Sequence, residues 1–292
     1  MSRGGGLGVL LATGIGLWLG DADEALLPGL ILVASVAWWD DQRGGVAIKW
    51  RIACQLLAAT AMAAAGLFPS SGIAFSFLFV IGTIWLCTLY QLMDGADGLV
   101  GGMALWGCSA LALAASGAGA GASDILVLAE CVAAGSAGFL LFNFPPSRIL
   151  LGSVGSVPLG FLAAVLSLTG VARFLWPWWF PLLVFSPLVV DATVTLAKRV
   201  LRGEEISQMH HEHFYQRLMQ MGWSDRRLVL SEYVLMLACG ISALLAQRAE
   251  DSVVSIVLLV WAVIYLALIV LIDKQWRRHM TTTVAQQGHA TQ

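Results

Sequence analysis

Charge is what this sequence has least of. Only 12% of its 292 residues are Asp, Glu, Lys or Arg, against 59% that are apolar. A soluble domain carries about 25% charged and about 45–50% apolar residues. Too few charges remain to coat a water-facing surface, which excludes a soluble globular enzyme and a disordered chain alike. Cysteine is sparse as well. Cys54, Cys87, Cys108, Cys131 and Cys239 are odd in number, lie in apolar stretches and form no CxxC. That excludes a disulfide frame and a cysteine metal site, and leaves them as small buried apolar residues. Neither sign of charge is in excess, with 16 Lys and Arg against 18 Asp and Glu. No basic surface therefore points to nucleic acid as a partner. An internal repeat is missing too, which argues against a transporter built from inverted halves.

What the sequence has in quantity is apolar chain, with a mean hydropathy of +0.82. The fold class expected is all-α, a polytopic membrane protein of about ten transmembrane helices. Ten apolar stretches can be drawn, at 6–20, 25–39, 52–68, 73–90, 99–117, 125–142, 156–172, 177–197, 228–246 and 253–272. They form a single integral-membrane domain over 1–275, and the polar stretch 276–292 is expected to be disordered. Ten spans with the N-terminus in the cytoplasm put 14 of the 16 Lys and Arg on the inside; only Arg173 and Arg248 fall outside. Both ends of the chain and the motif loops below then lie on the cytoplasmic face, as the positive-inside rule requires.

Several acids collect on that face. Asp40-Asp41 follows Trp38-Trp39 at the end of a span. The pair reads either as an interfacial charge balanced by Arg43 or as a base or metal-binding pair at the bilayer surface. Met93-Asp94-Gly95-Ala96-Asp97-Gly98 is more specific. Its glycines allow a tight turn, and carboxylates three apart can converge on one cation. Asn143-Phe144-Pro145-Pro146 and then Gly152-Ser153-Val154-Gly155-Ser156 make a loop whose hydroxyls and backbone N–H groups open the next span, a setting that suits phosphate or serves as a plain turn. Asp191 is an acid inside an apolar span, either functional or paired with Lys198 or Arg199. His210-His211-Glu212-His213, followed by Tyr215-Gln216-Arg217, lies in the long basic loop 198–227. Phosphate contact through imidazole and Arg217 is favoured there over zinc, because the cluster does not present three ligands on one helix face.

In this order the motifs resemble the polyprenyl-phosphate N-acetylhexosamine-1-phosphate transferases, glycosyltransferase family 4. That family includes the phospho-N-acetylmuramoyl-pentapeptide translocase and the enzymes that begin O-antigen and teichoic-acid lipid intermediates. The likeness runs from Arg3-Gly4-Gly5-Gly6 through Asp40-Asp41, the Asp94–Gly98 turn, Phe142-Asn143-Phe144-Pro145-Pro146 and Asp191 to His210 and His213. It implies transfer of an N-acetylhexosamine 1-phosphate from a UDP-sugar to polyprenyl (undecaprenyl) phosphate, giving a lipid-diphosphate sugar and UMP for envelope polysaccharide synthesis. By the same resemblance Asp40, Asp41, Asp94 and Asp97 are the catalytic residues, and Asp94 and Asp97 hold Mg²⁺. Asn143, Ser153, Ser156, Asp191, His210, His213 and Arg217 bind substrate. The implied setting is a bacterial inner membrane; a homodimer is left open. Thr88, Gln91 and Ser153 stand where the family has Asn, Asn and Asp. That departure carries the alternative of a weakened member that binds UDP-sugar or polyprenyl phosphate without turnover. An unrelated transporter is the second alternative.

Overall fold

Among the described residues, each of the ten apolar stretches falls largely on helix. The structure is a computed structural model that describes residues 4–19, 26–64, 72–204 and 212–290. Helices α1 (Gly5–Leu19), α2 (Leu26–Arg43), α3 (Ile48–Ala64), α4 (Gly72–Leu92) and α5 (Leu99–Ser116) come first. A 3-10 turn (Ala120–Ala122) leads to α6 (Ser123–Asn143), then α7 (Ser153–Ala172), α8 (Trp179–Val184) and α9 (Ser186–Leu201). The chain finishes with α10 (Phe214–Gln220), α11 (Asp225–Ala246) and α12 (Asp251–Ala290). No strand occurs among the described residues.

Of these, α4, α5, α6, α7, α11 and α12 are long and apolar enough to cross a membrane. Six candidate spans among the described residues support the all-helical membrane class, but not the expected count of about ten. At about 1.5 Å per residue, α1 with its 15 residues falls short of a core about 30 Å thick. Helices α2 and α3 carry Asp40, Asp41, Lys49 and Arg51 within their own lengths. The stretch 177–197 is broken at Phe185 into α8 and α9, with Pro187 opening the second piece; a proline's fixed φ suits the start of a helix. Helix α12 runs on through the stretch 276–290, where irregular chain was expected.

Helix α7 is the axis of the molecule. It packs against α1, α2, α4, α5 and α6, and most of its residues are buried. Small residues permit that crowding. A Cβ on Gly6 would lie 2.5 Å from the Cα of Gly155, and one on Gly160 would lie 2.6 Å from the Leu86 carbonyl oxygen. Without a hydrophobic drive between helices in lipid, such close backbone contact supplies the packing. Helix α12 is the opposite case. It packs mainly on α10 and α11, with polar contacts to α9, and Ile256, Leu259, Val263 and Leu266 are exposed on it. In a bilayer that exposure carries no penalty, because lipid tails are as apolar as leucine.

Candidate active site

The ends of α2, α4, α6 and α7 meet at one end of the bundle. There Asp41, Gln91, Asp94, Asp97, Asn143 and Ser153 line a cavity of about 470 Å³, within the range of small-molecule sites. Its lining contains three carboxylates and no cationic side chain.

Asp40 sits just behind this wall, buried. Its carboxylate accepts from the Val46 backbone N–H at 2.5 Å and from the Ser153 hydroxyl at 2.9 Å. Arg51 and the Gln91 amide donate to it at 3.3 Å each. The expected balance with Arg43 is replaced by this pairing with Arg51, because the loop 44–47 turns α3 back so that Arg51 faces Asp40. Arg43 instead lies over the Trp39 ring, 4.9 Å from its centre. Gln91 also donates to the Ser153 hydroxyl at 3.1 Å. The two departures Gln91 and Ser153 thus contact each other, while Thr88 spends its hydroxyl on the Ile84 carbonyl.

Asp41 caps α7. It accepts from the backbone N–H groups of Ser153 and Val154 at 3.0 and 2.9 Å. The helix start that suited phosphate on sequence grounds is therefore held by a carboxylate of the protein itself, a favourable pairing of negative charge with the positive end of the helix. Gly152, at φ +74°, leaves room for it; a Cβ there would meet the Asp41 carboxylate at 2.7 Å.

Asp94 and Asp97 come from the turn between α4 and α5, which Gly98 closes at φ +77°. Asp94 keeps some surface open to the cavity. Burial of its carboxyl pushes its pKa up to about 8; the Ser156 hydroxyl bond works against that rise and the neighbouring Asp41 adds to it. Asp97 accepts from the Ser147 backbone N–H at 3.0 Å. Asn143 uses both ends of its amide within the protein, accepting from Gly98 N–H and donating to the Ile149 carbonyl, each at 2.8 Å. It clamps the acidic turn to the Pro-Pro loop.

A second polar cluster surrounds α10. Asp191 accepts from the backbone N–H groups of Phe214 and Tyr215 at 2.9 and 3.0 Å and lies 3.4 Å from His213 Nδ1. It caps a helix; Lys198 and Arg199, its candidate partners from the sequence, face other acids. His213 is buried, heads α10 and stacks on Tyr215. Arg217 pairs with Asp273 of α12 at 3.0 Å and with Glu212 at 3.5 Å. Burial opposes the charge on Glu212, but Arg202, Arg199 and Arg217 outweigh it and hold the carboxyl below its usual range. His210 lies outside the described residues. The two clusters touch through Tyr215, whose hydroxyl donates to the Leu92 carbonyl at 3.4 Å; a Cβ on Gly95 would sit 2.3 Å from it. Arg51, Glu212 and Asp273 were not assigned roles from the sequence. Arg51 meets Asp40 across the loop 44–47, and Asp273 meets Lys198 and Arg217 from a distant helix, so no spacing rule could have found those two pairings.

The model of glycosyl transferase family 4 matches residues 25–171, half of the chain. The chain belongs to this family. The match takes in Asp40, Asp41, the acidic turn, the Pro-Pro loop and α7 as far as Val171. A Bacillus subtilis (strain 168) member named as a probable undecaprenyl-phosphate N-acetylglucosaminyl 1-phosphate transferase is 30% identical over 213 residues, 72% of this chain and 56% of that protein. A phospho-N-acetylmuramoyl-pentapeptide-transferase of Heliobacterium modesticaldum is 34% identical over 168 residues, 58% of this chain and 49% of its own. That of Latilactobacillus sakei is 29% identical over 178 residues, 59% and 52%. This family member spans about half the length of the curated relatives it matches.

Proposed function

We propose that this protein transfers an N-acetylhexosamine 1-phosphate from a UDP-sugar to polyprenyl phosphate at the cytoplasmic face of a bacterial inner membrane, for envelope polysaccharide synthesis. An oxygen of the lipid phosphate attacks the β-phosphorus of the UDP-sugar. The bond from that phosphorus to the bridging oxygen breaks, UMP leaves with the electron pair, and a lipid-diphosphate sugar remains. The observation that carries this reading is the cavity bounded by Asp41, Asp94 and Asp97 at the end of the bundle. A lipid phosphate can meet a water-soluble nucleotide sugar only at such a surface. Acids gathered at helix ends also speak against a transporter, which wants them near the midplane.

The donor's diphosphate is anionic, and three carboxylates line the cavity without a cation. Mg²⁺ suits that set. It is normally held by one or two carboxylates plus substrate phosphates, with waters filling its shell. No group of three His, Cys, Asp or Glu able to cage a metal occurs among the described residues, so a protein-only cage is not part of the proposal. Asp94 and Asp97 are the residues that would hold the ion, which would neutralise charge on the pyrophosphate. The chain's own groups do the rest. Asp41 fixes the start of α7 and so the position of Ser153 on the wall. Asp40, through Ser153 and Gln91, orients that wall for the lipid phosphate. The buried His213 and Tyr215 set α10 on the acidic turn.

Ser153 favours a second reading, a member that binds without turnover. Its hydroxyl brings no charge where the family resemblance implies an acid. The deciding experiment is a transfer assay in membranes with polyprenyl phosphate, Mg²⁺ and a panel of labelled UDP-N-acetyl sugars. Lipid-linked sugar from the wild type, lost in Asp94→Asn, supports the transferase. A silent wild type with an active Ser153→Asp supports the weakened member. Silence from both, with no nucleotide-sugar binding, overturns both readings.

A further inference from the structure

Outside the acidic cavity, α2 and α3 enclose a groove of about 470 Å³ lined by Val36, Trp39, Arg43, Val46, Trp50 and Cys54. Its walls are apolar and aromatic, and both tryptophans are exposed. Two cations stand beside its tryptophans, Arg43 on the lining and Lys49 next to Trp50. Arg43 lies 4.9 Å from the centre of the Trp39 ring, and Lys49 lies 5.9 Å from that of Trp50. Neither pairs with an acid among the described residues, whereas the next cation inward, Arg51, is already held by Asp40. Indole walls and uncompensated cations at a helix end match the membrane interface, where amphipathic rings and basic side chains meet headgroups. A basic pocket between helices at that level is the setting in which anionic headgroups bind.

We infer that this groove seats an anionic phospholipid, its phosphodiester between Arg43 and Lys49 and an acyl chain between Trp39 and Trp50. Charge complementarity selects an anionic over a zwitterionic lipid. The groove also excludes the reacting lipid phosphate as its occupant. Between Val36, Cys54 and Asp40 lies a void of about 10 Å³ that also touches Gln91, room for about one water, and the Arg51–Asp40 pair borders it. A phosphate bound at the mouth cannot reach the acidic cavity from there. It can steady the loop 44–47, whose Val46 N–H holds Asp40. This site is independent of the transferase reading.

The test is quenching of tryptophan fluorescence by brominated lipids in the purified full chain. Brominated phosphatidylglycerol is expected to quench more than brominated phosphatidylcholine, and the excess should vanish in Trp39→Phe/Trp50→Phe. Two cations at about 1 kcal/mol each correspond to about a thirtyfold loss of relative affinity in Arg43→Gln/Lys49→Gln. Arg43→Lys/Lys49→Arg should keep the preference. Lys274→Gln/Arg277→Gln, which removes two charges from α12, should keep it too. A loss in that α12 variant equal to the one in Arg43→Gln/Lys49→Gln would mean diffuse attraction and would overturn the site. Displacement of the brominated lipid by stoichiometric polyprenyl phosphate would overturn the assignment to phospholipid and give the groove to the acceptor.

Discussion

Ser153 is the residue where a single added charge has the largest consequence. Its hydroxyl is shared between Asp40 and Gln91, and its N–H is taken by Asp41. Ser153→Ala should cost about 1 kcal/mol, the worth of an ordinary hydrogen bond. Ser153→Asp brings a third carboxylate against Asp40 and Asp41, and without cation it should destabilise by about 3 kcal/mol, as an uncompensated charge does. Thermal unfolding in detergent, with and without Mg²⁺, checks this. Recovery of the melting temperature of Ser153→Asp by Mg²⁺, with no recovery in Ser153→Ala, is the expected pattern. Asp41 offers a parallel test. Asp41→Asn keeps an acceptor for the start of α7 but loses the charge, and should cost about 1 kcal/mol; Asp41→Ala should cost about 2 kcal/mol. Equal losses would mean that the hydrogen bonds contribute nothing beyond the charge.

At the scale of the element, α7 holds the site together through what it lacks. A methyl at Gly160 would press on the backbone of Leu86 and Cys87 in α4, and backbone cannot turn aside as a side-chain tip can. Gly160→Ala should therefore cost about 2 kcal/mol by overpacking and should lower transfer, since α4 carries Gln91 and leads into Asp94. Gly8→Ala on α1 meets nothing within 4 Å and serves as the control, with no change in unfolding temperature expected. The Asp94–Asp97 turn was legible because its carboxylates and glycines are neighbours in the chain. The Arg3–Gly6 motif was legible as a pattern, but its reason, the pressing of Gly6 on Gly155, joins residues far apart in the chain. The sequence offered Arg43 as the partner of Asp40, and the path of the loop 44–47 put Arg51 there instead.

For the whole molecule, α12 is the helix with the least to hold it. Among its polar fastenings, Tyr265 hydrogen-bonds Ser186 at 2.7 Å beside the break before α9, and Asp273 receives Lys198 at 2.6 Å and Arg217 at 3.0 Å. Asp273→Asn should release α10 from α12. Asp273 and Lys198 are partly exposed and screened by salt, and the buried Arg217 keeps Glu212 as a partner, so the loss of stability should be only about 1 kcal/mol. The sharper reading is hydrogen exchange, which should quicken over 212–220 while α7 stays protected. Unchanged exchange there would mean that Asp191 and Tyr215 hold α10 unaided.

Composition alone settled the class of this protein, because a chain with so few charges cannot make a soluble surface. Local spacing settled where its helices lie and which short motifs carry acids, since both depend on residues a few positions apart. Partner choice belonged to the tertiary structure. Asp191 at the head of α10, Arg51 against Asp40 and Arg217 against Asp273 are each joined across a reversal of the chain. Hydrogen bonds and ion pairs depend on distance in space, and helix ends from four parts of the sequence converge on one cavity only after α7 has packed between them.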